Sequence, residues 1–341
     1  MVIQLIIYIF NCGIMIASIN NQNKFYLVQF VSSVIKMAVN KLFVSVCIAT
    51  YKRPELLRQL LYSLSSQKIN DNIKFEIIIV DNDSLKGAHA IVEDYKKIAV
   101  VNVQYLTQPI KNISLTRNKC VEYSTGEYIL FIDDDEIAAP EWIQSMIDAI
   151  VKFNADAAFG RVLSHFKNET PDWIKRNPLF NRKAYPTGTE AYFTRTGNCI
   201  VKSYLLKNIT GPFDPGYGTT GGEDTHLFMR LKKCGAKFVN CYEGWVSEYV
   251  PPERATTNYI IKRSYIRGNN FTRRFLELAG KKKFYRFIKS LFLSLIFVFI
   301  SILLTIITFP NKYWRLYWAT KIASNWGHIS AVFGYYSKAY E

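Results

Sequence analysis

Residues 131–136 read FIDDDE, four consecutive carboxylates behind the apolar residues YIL. Like charges packed this closely repel, and a cation or a strongly positive ligand is the simplest thing that would offset the cost. If the strand continues through them, Asp133 and Asp135 point one way and Asp134 the other. An i, i+2 pair of carboxylates suits a hard divalent cation, Mg²⁺ or Mn²⁺, which keeps several waters and takes further ligands from phosphates. The plainer alternative is helix capping: Asp135 or Glu136 would favour a helix that PEWIQSMIDAI begins at Pro140. A cap accounts for one carboxylate and leaves the others unexplained.

A second acidic cluster lies in GGEDTHLFMRL, residues 221–231. Two glycines permit a tight turn, after which Glu223 and Asp224 open a helix with Leu227, Phe228 and Leu231 on its inner face. The helix dipole stabilises carboxylates in a first turn, so capping is again the plain reading. Held in a cleft, one of them could instead take the proton of an attacking hydroxyl, with His226 as a rival base. Among the cations, Arg117 in SLTRN sits near a helix N-terminus, where a diphosphate would bind. Lys262, Arg263, Arg267, Arg273 and Arg274 gather later in the chain. They suit either anionic lipid or, for Arg263 and Arg267 at i and i+4, a phosphate.

The elements that must position these groups alternate. LFVSVCIAT (42–50) reads as a buried strand, and RPELLRQLLYSLSSQ as a helix started by Pro54. FEIIIVDNDS (75–84), a helix over about 86–97, VVNVQYLT, a helix opening near Ser114, and EYILFIDDDE follow. This rhythm predicts an α/β fold with a mostly parallel sheet flanked by helices. Ligands of such sheets bind beyond the carboxyl ends of the strands. Those ends carry Thr50-Tyr51-Lys52-Arg53, Asp81-Asn82-Asp83 and Asp133-Asp134-Asp135, so three polar clusters are expected at one edge. Residues 150–250 are less regular.

Net charge is +16, but residues 254–341 hold 15 Lys and Arg against two acidic residues, so the excess belongs to the C-terminal quarter. It flanks SLFLSLIFVFISILLTIITF (290–309), twenty uncharged residues long enough to cross a bilayer. Lys281, Lys282, Lys283, Arg286 and Lys289 precede it, and Lys312, Arg315 and Lys321 follow. The positive-inside rule then puts the preceding domain in the cytoplasm. A basic excess beside an apolar helix, and not across a sheet or recognition helix, argues against nucleic acid as a partner. Six scattered cysteines without a C-x-x-C pair suit reduced cytoplasmic thiols. The apolar residues 2–19 read as an anchor or as an extension ahead of a start at Met37. The expected division is thus an apolar extension over 1–40, a domain over 41–275, and a tail over 276–341 with a basic juxtamembrane segment, a transmembrane helix over about 290–309 and an aromatic end.

ATYKRPELLRQLLYSL, EIIIVDNDS, SLTRNKCVEYSTGEYILFIDDDE and GGEDTHLFMRL, in this order, resemble the sequential motifs of family 2 glycosyltransferases. GWVSEYVPPERATTNYIIKRSYIRGNN and its apolar sequel resemble the bacterial branch that includes succinoglycan-type glucosyltransferases. The resemblance implies a GT-A fold, a nucleotide-sugar donor (a UDP-sugar foremost), Mg²⁺ or Mn²⁺, and inversion at the anomeric carbon. By position, Thr50, Tyr51 and Arg53 would line the nucleotide pocket, and Asp81 would bind the base with Asp83 beside it. Arg117 would meet the nucleotide or its diphosphate. Asp133 and Asp135 would be the D-x-D pair with Asp135 the direct metal ligand, and Asp133 and Asp134 would touch the nucleotide sugar. Asp224 would be the general base and Glu223 would orient the acceptor. Relatives often carry histidines around VSEYVPPER, and here Glu248 stands as the substitute metal ligand. Arg263 and Arg267 would touch phosphate or acceptor. The acceptor would be a lipid-linked saccharide at the cytoplasmic face of a bacterial inner membrane. Two alternatives stand beside this: a Mg²⁺-dependent nucleotidyltransferase, for which ATYKRP replaces the expected Gly-rich loop, and a membrane-anchored GT-A module without activity.

Overall fold

The computed structural model describes residues 41–280 and 283–337. The expected extension over 1–40 lies outside them. The chain divides into two compact units, and the one that carries the acidic clusters comprises Phe43–Ile69 and Phe75–Glu341.

The alternating half folds as its periodicity dictates. Strand β1 (Leu42–Thr50) leads to α1 (Pro54–Ser65), which starts at its proline and buries Leu57, Leu60, Leu61 and Leu64 on one side. Then come β2 (Ile73–Asp81), α2 (His89–Lys96), β3 (Val103–Thr107), α3 (Ile113–Tyr123) and β4 (Tyr128–Asp133). Asn112 caps α3 by accepting from the Leu115 N–H. β2 pairs parallel with β3, and β1 parallel with β4, which brings Ala49 opposite Asp133. The strand interiors Val44–Ile48 and Ile77–Val80 are almost completely buried, as expected for a parallel sheet covered on both faces.

The less regular stretch completes the sheet. β5 (Glu136–Ala138), α4 (Trp142–Lys152), β6 (Ala157–His165), the short α5 (Asp172–Lys175), β7 (Asn198–Lys202), α6 (Ser203–Lys207), α7 (Glu223–Lys233) and β8 (Phe238–Tyr249) follow in turn. The eight strands run in the order β3-β2-β1-β4-β7-β6-β8-β5. β7 is antiparallel to β4 and β6, β6 and β8 are parallel, and β5 is antiparallel to β8. The sheet is therefore mixed, with parallel pairs β1–β4 and β2–β3 in the half that the sequence made legible and β6–β8 outside it. One expectation is corrected here. Glu136 does not open the next helix, which begins at Trp142. It lies in β5 opposite Glu248, and its carboxylate accepts the Asp133 N–H at 3.1 Å.

Three helices close the chain: α8 (Thr257–Glu277), α9 (Lys283–Ile307) and α10 (Lys312–Val332). α8 runs through the expected boundary at 275. α8 and α10 approach backbone to backbone at two glycines. A Cβ on Gly268 would stand 2.0 Å from the Ser324 carbonyl, and one on Gly327 2.1 Å from that of Tyr265. The five cysteines among the described residues are free.

Candidate active site

The carboxylates at the end of β4 divide by the alternation of the strand. Asp134 and Glu136 are buried, while Asp133 and Asp135 stay open to the cleft. Asp134 is fixed by the Thr50 hydroxyl at 2.9 Å and by Arg53 at 3.0 Å. Burial pushes its carboxyl up to about 6 against the pull of Arg53. Asp135 accepts from Arg53 at 3.0 Å and from Arg254 at 3.2 Å. Arg254 was not singled out in the sequence.

Asp133 meets Arg117 at 3.0 Å, and the other amino group of the same guanidinium pairs with Glu223. Arg117 itself is only 7% exposed. Arg117, expected to meet a diphosphate from a helix end, lies between two carboxylates and joins the β4 end to the start of α7. Glu223 is buried, with Oε2 lacking a hydrogen-bond donor, and burial pushes its carboxyl up to about 7 against the pull of Arg117. The enclosing protein also raises the Asp133 carboxyl, opposed by Arg117 and reinforced by Asp135, Asp224 and Glu248. The two acidic clusters, ninety residues apart in sequence, thus share one field.

Asp224 is half-buried, and Oδ1 accepts from the N–H and hydroxyl of Thr225. Gly222 sets its position, because the helix starts from a left-handed backbone with φ of 90° that side-chain-bearing residues rarely adopt. His226 faces elsewhere. It stacks on Tyr217 at 4.7 Å within 3.8 Å of Glu277, and burial lowers its basicity.

Behind this loop stand Arg273 and Arg274, two of the residues read as lipid-facing. Arg273 covers the Tyr217 ring at 3.9 Å and donates to Gly216 and Thr220, while Arg274 is buried beside Gly222. Both are turned to the loop that carries Asp224. Arg267 lies beside Arg263 and Arg182, and burial lowers it. Arg195, unmarked in the sequence, is pushed down to about 10 by burial and by Arg182.

On the nucleotide side, the ammonium groups of Lys52 and Lys111 stand over the Tyr51 ring, at 5.4 and 5.3 Å from its centre. Asp81 is fully buried. Its oxygens accept from the N–H groups of Asp83 and Ala88 and from the Tyr105 hydroxyl, so it holds the loop after β2. Asp83 accepts from the Leu85 N–H at 3.2 Å.

The donor chemistry fits a hard divalent cation. Asp133 and Asp135 are the two cleft-facing carboxylates of the run. Gly197 leaves Asp133 room, since a Cβ there would stand 2.9 Å from Asp133 Oδ2 and 3.1 Å from Glu136 Oε1. Among the described residues no group of three His, Cys, Asp or Glu has metal-holding geometry. Two protein carboxylates, completed by water and phosphate oxygens, are what Mg²⁺ commonly takes. Glu248, expected as a third ligand, accepts from Ser164 at 2.8 Å and pairs with Arg182 at 3.2 Å.

Comparison with known proteins follows the same lines. The family model "Glycosyl transferase family 2" matches residues 45–208. The succinoglycan biosynthesis protein ExoM of Rhizobium meliloti is 29% identical over 238 residues, covering 70% of this chain and 77% of ExoM. A glucosyl-dolichyl phosphate glucuronosyltransferase of Haloferax volcanii is 30% identical over 141 residues, 41% of this chain and 42% of that protein. Among solved structures, the mannosyltransferase PcManGT of Pyrobaculum calidifontis, in complex with GDP-Man and Mn²⁺, superposes with a TM-score of 0.58 at 15% identity. That match covers 87% of this chain and 88% of that one. With the mixed sheet, the β4 carboxylate run and the α7 acidic turn, these matches show a family 2 glycosyltransferase domain over residues 45–208 and a fold of GT-A type.

Proposed function

We propose that the chain transfers a sugar, with inversion, from a nucleotide-sugar donor to a lipid-linked saccharide during assembly of a bacterial surface polysaccharide. The observation that carries this reading is the Arg117 bridge between Asp133 and Glu223, which makes a donor-side and an acceptor-side carboxylate neighbours. A UDP-hexose is the donor proposed, with Thr50, Tyr51, Arg53, Asp81 and Asp83 forming its nucleotide pocket. The likeness to a glucosyl-dolichyl phosphate glucuronosyltransferase supports the lipid-linked acceptor, and the likeness to ExoM supports a polysaccharide product.

Asp133 and Asp135 would hold Mg²⁺ or Mn²⁺. When bound, that cation neutralises charge developing on the departing diphosphate. Asp224, half-open to the cleft, takes the proton of the acceptor hydroxyl as it attacks the anomeric carbon. Glu223, buried against Arg117, sets the orientation of that turn and does not itself reach the hydroxyl. Arg53 and Arg254 hold Asp135 while leaving it open to the cleft. Arg263 and Arg267 supply charge for a phosphate on the acceptor side. Direct displacement of this kind needs no covalent nucleophile. The location proposed is the inner membrane with the catalytic domain in the cytoplasm, a reading that the free cysteines among the described residues support.

The test is release of nucleoside diphosphate from a panel of UDP- and GDP-sugars by the membrane fraction, with and without divalent cation. Asp135→Ala and Asp224→Asn are expected to abolish it. Full activity in both variants would remove the mechanism.

A further inference from the structure

The apolar helix α9 is long enough to span a bilayer, at about 37 Å for 25 residues at 1.5 Å each. The way its ends are held argues for a different placement. α8 is fastened to the catalytic body along its length. Near its start Ile260 packs with Val250, Ile174 and Phe180, and at its end Glu277 accepts from Tyr217. α10 is fastened to α8 over the same distance. Leu316 joins the Ile260 cluster, Gly268 meets Ser324, Asn269 donates to Ser330 at 2.8 Å, and Thr272 pairs with His328 at 2.7 Å. α9 then packs antiparallel along α10. Phe287 at its start meets Phe333 edge-on at 6.5 Å, and Phe309 just past its end lies under Arg315 at 5.0 Å. Both ends of α9 are thereby held over the same body, and its axis runs along that body. A perpendicular crossing would drag α8, α10 and part of the catalytic domain into hydrocarbon.

The faces of α9 are inverted relative to a water-soluble helix. Among its described side chains, the buried ones are Ser294 and Ser301, at 5% and 3% exposure. Phe292, Leu295, Phe297, Phe299, Ile302 and Ile306 are all exposed. Cations stand at both ends in the sequence, with Lys289 among those before and Lys312, Arg315 and Lys321 after. Tyr285, Trp314 and Trp326 are exposed beside them. Apolar residues between two basic, aromatic ends suit one anionic membrane surface.

We infer that α9 lies in the plane of the membrane, sunk into a single anionic leaflet, and that α8, α9 and α10 all stay on one side of the bilayer. This rests on the membrane-bound reading above and deepens it: α8, which fixes the Asp224 loop, becomes the link between the lipid surface and the active site. Positions 292, 299 and 306 share one face at seven-residue spacing. The full chain, with Cys12 and Cys234 changed to Ser, would carry single labels at Phe292→Cys, Phe299→Cys or Ile306→Cys. It would be mixed with vesicles of phosphatidylglycerol and phosphatidylethanolamine containing spin-labelled lipids that quench at known depths. All three labels are expected at one common depth, with at least tenfold weaker binding once phosphatidylglycerol is replaced by phosphatidylcholine. A deep label at 299 flanked by shallow ones at 292 and 306 overturns the inference, as does absence of vesicle binding. A second readout is a C-terminal epitope in spheroplasts: protection from external protease is expected, and cleavage overturns the inference. Neither readout involves sugar transfer, so a failure here is distinct from a failure of the proposed reaction.

Discussion

At the scale of residues, the site rests on carboxylates that burial treats unequally. Asp224 stays half-open and is assigned the proton transfer, so Asp224→Asn is expected to lower kcat by about 10²–10⁴-fold with little change in melting temperature. Glu223 differs, since its carboxyl is pushed up to about 7 by burial. Between the ordinary glutamate value and 7 the folded chain holds a proton that the unfolded chain releases, so this group's contribution to stability falls as pH rises through that window. Glu223→Gln lacks that titration. Its stability relative to the parent is expected to improve by ~1–3 kcal/mol from pH 4.5 to pH 8, read as denaturation midpoints at the two pH values. An unchanged difference would place Glu223 in an ionised state throughout. Gly197 gives a third expectation. A methyl there crowds Asp133 Oδ2 and Glu136 Oε1, so Gly197→Ala should cut turnover at least tenfold and raise the cation concentration needed for half-maximal rate. An unchanged cation dependence would show that the gap beside Asp133 serves no ligand.

At the scale of elements, the difference between what was legible and what was not has a physical origin. β1, α1, β2 and β4 announce themselves because both faces of a parallel sheet are buried, which makes their interiors continuous apolar runs. β6 and β8 mix buried and exposed residues irregularly, with the pairing register shifting between Gly160 and Val162, so no period marks them. Glu136 misled for a similar reason: a strand of three residues is too short to leave a pattern, and an acid before a helix reads as a cap. The D-x-D run and the Glu223-Asp224 turn were visible as residue types. The Arg117 bridge, Arg254 and the Gly197 gap were not, because each depends on contacts between distant segments. The α8–α10 crossing is of the same kind. Alanine at Gly268 or Gly327 must force two backbones apart, and a loss of roughly 1–3 kcal/mol is expected in thermal or denaturant unfolding. Parent-like stability in both variants would mean that the crossing is not held at this distance in solution.

At the scale of the molecule, the carboxyl ends of the parallel strands meet an acidic helix turn that α8 secures from behind, and α8 in turn packs on α10. Family and fold agree with that architecture. The central claim is that Asp133, Asp135 and Asp224 work as one metal-assisted transfer centre. The most direct measurement is nucleoside diphosphate release from UDP-sugars by purified full-length protein in lipid, run with the parent, Asp135→Ala and Asp224→Asn, with and without Mn²⁺. The account predicts Mn²⁺-dependent release by the parent with at least one UDP-hexose, and loss by a factor of at least 10² in each variant. Release that persists without divalent cation, or at parental rate in Asp224→Asn, would contradict it.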